Sequence, residues 1–248
     1  MRENLLGRLS AWIVLLLALM NVTGCDRAVN RTAERKIRDA LPDILGPARL
    51  YRVHVDNAAE RTVQGRLAHV IIDGDDVRMS NGMMIDKLHL DLKGVDVDTA
   101  NRRLRDIRSA QFTAVIGQAS LDEFLAGESP EDEPLRNIRI TLGTGNKVTL
   151  AAERITLGLG VPFQATGPLK LLDSQHILLD PDRLIVIGIP ISGRPLRFLK
   201  QRFESALDLS TLPIPIHVTQ VGTMPGQLAI SGTAEVTPML LLAQEHSR

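Results

Sequence analysis

Cys25 is the only cysteine of this 248-residue chain, and its thiol is the side chain best placed for covalent chemistry. It directly follows the small and β-branched residues at 22–24, which read Val-Thr-Gly. Arg2 and Arg8 make the N-terminus basic, and residues 9–20 are apolar except for one serine. This layout is that of a secretory signal that ends at a cleavage point. A transmembrane helix needs about 20 apolar residues, so the segment is short for a span.

The residues around Cys25 resemble the lipobox of bacterial lipoproteins. The resemblance implies cleavage after Gly24 and a lipidated Cys25 that tethers the mature protein to a membrane. A single cysteine supports lipidation over a disulfide, which needs a partner. The alternatives are a plain signal peptide or an uncleaved anchor, with Cys25 an incidental thiol. Asp26 resembles the inner-membrane retention signal of some enterobacterial lipoproteins, but that rule depends on lineage, and both membranes stay open.

The remaining reactive side chains form no catalytic or metal-binding pattern in the sequence. Ser192 and Ser231 precede glycines but lie outside a G-x-S-x-G motif. The stretch 143–147, Gly-Thr-Gly-Asn-Lys, lacks the second glycine pair and the helix of a phosphate loop, so it predicts a turn. We therefore expect neither enzymatic activity nor a cofactor, and a hydrolase or transferase is the least favoured alternative. The six histidines are dispersed without paired-ligand spacing: His54, His69, His89, His176, His217 and His246.

Charge and composition exclude one class of partner. Removing residues 1–24 takes away two arginines and one glutamate and leaves 27 basic and 28 acidic residues. A nearly neutral chain does not indicate a nucleic-acid-binding protein. Trp12 lies in the signal and Tyr51 is the only tyrosine, so the apolar surface is mostly aliphatic. That surface suits a core and would equally suit a sleeve around acyl chains.

The first half of the mature chain predicts one helix followed by long antiparallel strands. Apolar spacing favours a helix from Arg31 to Leu45, interrupted or kinked at Pro42. We predict strands at 50–55, 67–72, 88–98 and 104–116, with a turn at Asp73–Asp76 and a bulge at Gly94. Ser120 is expected to cap a short helix over 121–126. An acidic, proline-bearing loop at 128–134 then divides the chain near its middle.

The second half predicts more strands and one amphipathic helix. Alternating residues at 138–142 and 148–152 flank the Gly-Thr-Gly-Asn turn and indicate a hairpin. Further strands are expected at 161–172, 176–179 and 183–189. A helix is predicted from Pro195 to Leu207, with its apolar stripe on the sheet.

Several segments resemble the LmeA-like phospholipid-binding family of bacterial envelope proteins. The segment LDLSTLPIPIHVTQVGTMPGQLAISG at 207–232 is similar to the family's C-terminal signature. Segments at 90–98, 119–125, 135–152 and 160–171 fit the same pattern in the same order. The resemblance covers roughly residues 31–237 and carries no invariant catalytic group. It implies an α+β fold in which an elongated, curved antiparallel β-sheet wraps one or two helices. Such a fold is TULIP-like and leaves an apolar groove.

Under this hypothesis the protein binds phospholipid acyl chains in the groove and supports lipid transfer or envelope lipid homeostasis. Expected partners are phospholipid, the membrane through the lipidated N-terminus, and an envelope protein as an open option. The predicted head-group contacts are Arg197, Lys200 and Arg202, although exposed charges on a helix are usually just a solvated face. Candidate groove residues, each of which could equally be plain core, are Leu88, Leu90, Leu92, Ile138, Ile140, Leu150, Phe163, Leu199 and Phe203.

The expected organisation is a signal at 1–24, a lipid-anchored linker at 25–30, one elongated domain at 31–237 and a tail at 238–248. The expected location is the bacterial cell envelope, on the periplasmic or extracytoplasmic side. The main alternative function is a structural or scaffold lipoprotein whose groove is filled core. A continuous apolar cavity of several hundred cubic ångströms would distinguish a lipid carrier from such a scaffold.

Overall fold

The computed structural model describes residues 27–98, 103–127, 135–156, 159–191, 207–209 and 215–235. The helices in these ranges are α1 (residues 27–44), α2 (Ala59–Val63) and α3 (Gln118–Gly127). The strands are β1 (Leu50–Asp56), β2 (Arg66–Arg78), β3 (Met84–Asp98), β4 (Arg103–Gly117), β5 (Leu135–Leu142), β6 (Lys147–Thr156), β7 (Leu159–Leu171), β8 (His176–Leu179), β9 (Arg183–Val186), β10 (Ile189–Ile191), β11 (Leu207–Asp208), β12 (Ile216–Met224) and β13 (Gln227–Ala234).

The strands form two antiparallel sheets. The first sheet has the order β1-β2-β3-β4-β13-β12. The second sheet has the order β10-β9-β7-β6-β5, with β8 beside β7 and β11 beside β8. Mainly antiparallel β-structure with few helices agrees with the predicted α+β class. The hairpin predicted around the Gly-Thr-Gly-Asn turn is confirmed by the pairing of β5 with β6.

Helix α1 packs on one face of the first sheet, which we call the inner face. Leu41 and Leu45 of the α1 segment are buried in the same cluster as Val70 and Ile72 of β2. The helix runs through Pro42 to residue 44, so the predicted interruption is wrong. Pro42 lies in the last turn, where its missing N–H removes a single helical hydrogen bond. The helix also begins by residue 27, within the predicted linker.

Side chains of α1 hold it against the edge of the first sheet. Strand β1 lies at this edge, and the Val55 backbone N–H donates to Glu34 Oε1 at 3.0 Å. Asn30 Nδ2 donates to the Asn57 carbonyl at 2.7 Å, and Thr62 Oγ1 donates to Asn30 Oδ1 at 2.8 Å. The helix thereby satisfies a strand edge that would otherwise be free to pair with another chain.

The inner face of the first sheet changes its side-chain alternation at one row that crosses three strands. Ala68, Gly94 and Arg108 share this row, because the pairs on both sides of it keep one register. Gly94 has φ +65°, a conformation that favours glycine. The predicted change of phase at Gly94 is therefore present, but the register shift of a bulge lies two residues later, between Asp96 and Val97 of β3 where they pair with β4. The positions that face α1 on the two sides of the row are Val70, Leu92 and Ala110, then Leu67, Val95 and Ile107.

Three other predicted elements differ from the structure. The turn expected at Asp73–Asp76 is part of β2, in which Asp76 has φ +53°. Ser120 lies inside α3 and donates to Asp86 Oδ1 at 3.2 Å, so it does not cap the helix. The strand expected over 183–189 is divided into β9 and β10 by a turn at Ile187 and Gly188. The helix predicted from Pro195 lies outside the described residues, except that Leu207 belongs to strand β11.

The two sheets meet where the β5–β6 turn contacts β12, a contact region that we call the junction. Asn146 Nδ2 donates to the Val221 carbonyl at 3.2 Å, and the Thr223 N–H donates to Asn146 Oδ1 at 3.0 Å. Thr223 Oγ1 donates to the Gly143 carbonyl at 2.7 Å. Asn146 has φ +63°, which asparagine tolerates better than most residues. One side chain thus fixes the turn and joins the sheets.

Replacement of Asn146 by alanine should lower the free energy of unfolding, because it leaves partly buried backbone groups of β12 without partners. We expect a loss of about 1–3 kcal/mol beyond that of a matched control, measured by urea unfolding. The control is Asn137→Ala, since Asn137 has φ +55° and is exposed. Equal losses in the two variants would show that only the backbone conformation matters and would contradict a role in joining the sheets.

Asp75 is a buried carboxylate on β2 with basic partners on both neighbouring strands. Its residue exposure is 4%, and its oxygens accept from Lys87 Nζ at 2.7 Å and from Arg52 Nη1 at 3.1 Å. These hydrogen bonds, from Lys87 first and Arg52 second, hold the pKa of Asp75 below its ordinary value. The strand continues through the acidic cluster because this charge is neutralised by its neighbours.

The lowered pKa of Asp75 predicts an acid-dependent stability. The contribution is fully present above the unfolded aspartate pKa of about 3.9 and is lost as the pH falls through the lower folded value. Asp75→Asn should therefore flatten the dependence of unfolding free energy on pH below about 4, measured by urea unfolding at several pH values. Exposed Asp182, changed to asparagine, is the control. An acid slope in Asp75→Asn equal to that of the parent would refute the assignment.

Candidate functional site

A cavity of about 910 Å³ lies between α1 and the inner face of the first sheet. Its wall combines one face of α1, the inner positions of β2, β3 and β4, and a few residues from β11 to β13. The volume lies at the upper end of the range, about 300–1,000 Å³, that is usual for small-molecule sites. The cavity is therefore large enough to hold an extended apolar ligand.

Helix α1 contributes the wall opposite the sheet. Ile37, Leu41 and Ile44 recur at intervals of three and four residues, which places them on one helical face. Leu41 is buried and the other two are half-buried. Gly46, at φ +111°, ends the segment, and its carbonyl accepts from the Tyr51 hydroxyl at 2.8 Å. This turn sets the position at which the chain leaves the helix and enters the sheet.

Strand β3 forms the centre of the opposite wall. Leu88, Leu90 and Leu92 alternate along it and line the cavity, and Val95 and Val97 continue the lining after the change of phase at Gly94. Leu90 lies between Ile72 of β2 and Phe112 of β4, both of which also line the cavity. Several of these side chains, among them Leu90 and Leu92, are only half-buried. The wall thus keeps apolar surface that a ligand can cover.

The length of this wall fits an acyl chain. The lining positions on β3 run from Ile85 to Val97, which is about 40 Å at about 3.3 Å per residue. The hydrocarbon layer of one bilayer leaflet is about 15 Å, half of the roughly 30 Å core. An extended acyl chain can therefore lie along the strand without leaving the apolar wall.

The charged residues of the cavity lining all lie on α1. They are Lys36, Asp39 and Asp43, and the one further polar lining residue that is not on α1 is Gln111 of β4. Lys36, Asp39 and Asp43 are exposed, whereas the apolar lining lies deeper. A ligand with a polar end and an apolar body would match this distribution.

The structure divides the sequence-predicted groove residues into two groups. Leu88, Leu90 and Leu92 line the cavity together. Ile138, Ile140, Leu150 and Phe163 lie on the second sheet and are not among its lining residues. Their assignment to a lipid groove stays a prediction. Cys25, Arg197, Leu199, Lys200, Arg202 and Phe203 lie outside the described residues.

Sequence reasoning missed most of the residues on β2 and β4 that line the cavity. They are Leu67, Val70, Ile72, Leu104, Ile107, Ala110, Phe112, Ala114 and Ile116. The signal that could have found them is the pairing of both strands with β3, since all of them except Ile116 lie opposite a β3 residue that also lines the cavity. Without the register, the alternation of β4 is obscured by the change of phase at Arg108.

Two kinds of site are absent from the part of the chain that the structure describes. No group of three His, Cys, Asp or Glu side chains lies there in an arrangement that could hold a metal ion. No helix among the described residues has the length and apolar character needed to cross a membrane.

Comparison with known protein families identifies the chain. The model of the LmeA-like phospholipid-binding family matches residues 24–233, most of the sequence. The protein belongs to the LmeA-like phospholipid-binding family. The family resemblance inferred from the sequence is thereby confirmed. Comparison with curated proteins and with solved structures gives no match.

Membership of the LmeA-like family supports phospholipid binding as the activity of this chain. The family match includes α1 and the strands β2 to β4, which together form most of the cavity wall. The apolar cavity is therefore the candidate binding site on this LmeA-like protein.

Proposed function

We propose that this protein is a membrane-tethered envelope lipoprotein that binds phospholipid acyl chains in the cavity between α1 and the first sheet. It supports lipid transfer or lipid homeostasis in the envelope. The observation that carries the proposal is the cavity itself, about 910 Å³ with an almost wholly aliphatic wall. Phospholipid is the partner, and the protein faces the extracytoplasmic side of the membrane that holds it.

The proposed mechanism is a physical transfer between two apolar environments. An acyl methylene that enters water loses about 0.8 kcal/mol, so a chain of many methylenes does not leave a bilayer unaided. A chain that moves from the bilayer into the cavity avoids most of this cost. The protein lowers the barrier to transfer and requires no covalent step.

The architecture supports a TULIP-like fold, in which a curved sheet wraps a helix. The contacts of α1 with the inner face of the first sheet favour this assignment, as does the cavity that they enclose. In the proposed organisation residues 31–237 form one lipid-binding domain, residues 1–24 are a signal peptide and residues 238–248 a tail.

Replacement of Leu90 by aspartate should remove bound phospholipid, because a carboxylate placed in an apolar site carries a large desolvation cost. We expect phospholipid that co-purifies with the full chain from a bacterial envelope fraction to fall by about tenfold or more. Mass spectrometry of the extracted lipid measures the loss.

The matched control for Leu90→Asp is Leu172→Asp. Leu172 is 56% exposed and does not line the cavity, so this variant should keep its lipid. Circular dichroism checks that both variants fold. A folded wild-type protein that carries no phospholipid and takes none from vesicles would refute lipid binding and favour the scaffold alternative.

Replacement of Cys25 by alanine tests the tether separately from lipid binding. Without the thiol no lipid can be attached, so the variant should lose the mass of the acyl modification. Mass spectrometry of the membrane-extracted protein measures this difference, and wild type treated in parallel is the reference. An unmodified Cys25 in the wild-type protein would show that the N-terminus is an ordinary signal or anchor.

A further inference from the structure

Three large aliphatic side chains are exposed towards one end of the second sheet. Leu159 at the start of β7 is 72% exposed, and Ile187 and Ile189 at the β9–β10 turn are 66% and 62% exposed. The Ile187 N–H donates to the Pro162 carbonyl at 3.0 Å, which holds the turn beside β7. We call Leu159, Ile187 and Ile189 the distal tip. Folding leaves these side chains in contact with water, which favours a role in binding.

The turn at the distal tip keeps an aliphatic side chain where the backbone disfavours it. Ile187 and Gly188 have φ +51° and +77°, and two central residues with positive φ define a type I′ turn. Asparagine followed by glycine is the preferred pair at such a turn. A β-branched residue in this conformation is strained, and strain of this kind concentrates at functional sites. Stability alone does not explain Ile187.

The distal tip lies at the end of the second sheet that is away from the junction. The β5–β6 turn forms the junction, and β6 then runs from Lys147 to Thr156, which pairs with Leu159. The nine steps from Lys147 to Thr156 span about 30 Å, whereas Ile189 is level with Ala152, about 17 Å from Lys147. The tip residues therefore lie about 17–30 Å along the strands from the junction.

The N-terminal end of α1 lies level with the middle of β4, about 26 Å along that strand from the end that meets the same junction. Asn30 bonds to Asn57, which directly follows β1. Asp56, the last residue of β1, is level with Ser109 of β4, because successive pairs across β2 and β3 connect the two residues. The C-terminal end of β4 meets the junction. The N–H of Gln118, which directly follows β4, donates to the Gly226 carbonyl, and the Gly226 N–H donates to the Leu142 carbonyl at the end of β5. The start of α1, two residues after Cys25 in the sequence, and the distal tip thus both lie away from the junction in their respective sheets.

Exposed arginines accompany the distal tip. Arg154 lies opposite Val161 of β7, and Arg136 and Arg139 lie on β5 beside it. All three are exposed, and no ion pair to them is present within residues 135–156 or 159–191. The carboxylate paired in these rows is Glu153, and four further acidic residues, at 128 and 131–133, precede β5 in the sequence outside the described ranges. Guanidinium groups bind phosphate oxygens in bidentate geometry, so these arginines complement a surface of lipid phosphates.

We propose that the distal tip inserts into a second lipid bilayer, facing the bilayer that holds the N-terminal tether. Leu159, Ile187 and Ile189 enter the acyl region, and Arg136, Arg139 and Arg154 contact the phosphates. The proposal rests on the proposed tether but not on lipid binding in the cavity. It gives the protein a point of contact with an acceptor membrane while its N-terminus stays in the donor.

Single tryptophans in the tethered chain test this contact. Trp12 is the only tryptophan of the sequence and lies in the proposed signal peptide. Tryptophan fluorescence from uncleaved chain is therefore common to all variants and is subtracted. Ile189→Trp reports the tip, and Leu172→Trp reports the opposite end of β7, where Leu172 is 56% exposed. The tethered protein is reconstituted in phosphatidylcholine vesicles. Acceptor vesicles of equal parts phosphatidylcholine and phosphatidylglycerol, with brominated acyl chains, are then added as the quencher.

We expect acceptor vesicles to quench the Ile189→Trp variant and to leave the Leu172→Trp variant unquenched. Brominated lipid placed only in the tethering vesicles should not quench the tip variant. Quenching of the tip variant by neither population, or by the tethering vesicles alone, overturns the proposal. Emission of the tip variant that is already shifted to the blue without acceptor vesicles also overturns it, because another part of the chain or a second copy then covers the tip.

Ile187→Asn, introduced into the Ile189→Trp parent, separates docking from stability, because asparagine relieves the strain at the turn. We expect its melting temperature to equal or exceed that of the parent, while the acceptor concentration for half-maximal quenching rises by about tenfold. Combined replacement of Arg136, Arg139 and Arg154 by glutamine should also weaken quenching. Unchanged quenching after Ile187→Asn overturns insertion of the tip. A parent chain that keeps cavity lipid but shows no quenching refutes docking and leaves the proposed lipid binding intact.

Discussion

The register that β2, β3 and β4 share from Lys87 to Asp96 of β3 is the constraint on which the rest of the structure depends. All three strands change their side-chain alternation at the row of Ala68, Gly94 and Arg108, and the pairing on both sides of that row is unaltered. A shift in one strand alone would turn its apolar side chains to the opposite face over half of its length. Because the three strands change together, the apolar wall continues across this row, and a register shift between Asp96 and Val97 then brings Leu104 of β4 opposite Val97. Gly94 makes this possible, since a Cβ there would lie 2.9 Å from Cβ of Arg108.

Helix α1 converts that wall into a cavity because it covers the inner face only in part. Leu41 and Leu45 are buried against the sheet, while hydrogen bonds from Asn30 and to Glu34 fix the helix at the β1 edge. The helix is therefore held by its C-terminal apolar residues and its N-terminal polar residues. Between these contacts the half-buried residues of β3 and β4 keep exposed apolar surface. The same geometry places the three charged side chains of the lining at the helix, on the solvent side.

Most strands are predictable from the sequence because side-chain alternation is a local pattern. Prediction fails where a contact with a residue distant in sequence determines the local structure. Asp73–Asp76 has the composition of a turn, yet β2 continues because Arg52 and Lys87 on the neighbouring strands neutralise Asp75. Ser120 has the identity of a helix cap, but its hydroxyl bonds to Asp86, 34 residues earlier. Alternation, together with the groove that the family resemblance implies, predicts Leu88, Leu90 and Leu92 as lining residues. Their partners on β2 and β4 required the register, which no single segment contains. Ile187 resembles a strand residue by composition, and nothing in its local sequence indicates a positive φ.

A protein that keeps an aliphatic wall and an aliphatic tip in contact with solvent gives up stability that burial would supply. Each fully buried side chain of this type contributes about 1.5–3 kcal/mol, and domains are stable by only about 5–15 kcal/mol. Half-buried Leu90 and Leu92 and the exposed tip therefore represent a substantial fraction of the available stability. A ligand that covers the wall restores part of this lost stability, because binding to the folded state raises the free energy of unfolding by mass action. For a phospholipid-binding protein, occupancy and stability are then linked. The positive φ of Ile187 is a cost of the same kind, which the proposed contact of the tip with a bilayer would offset.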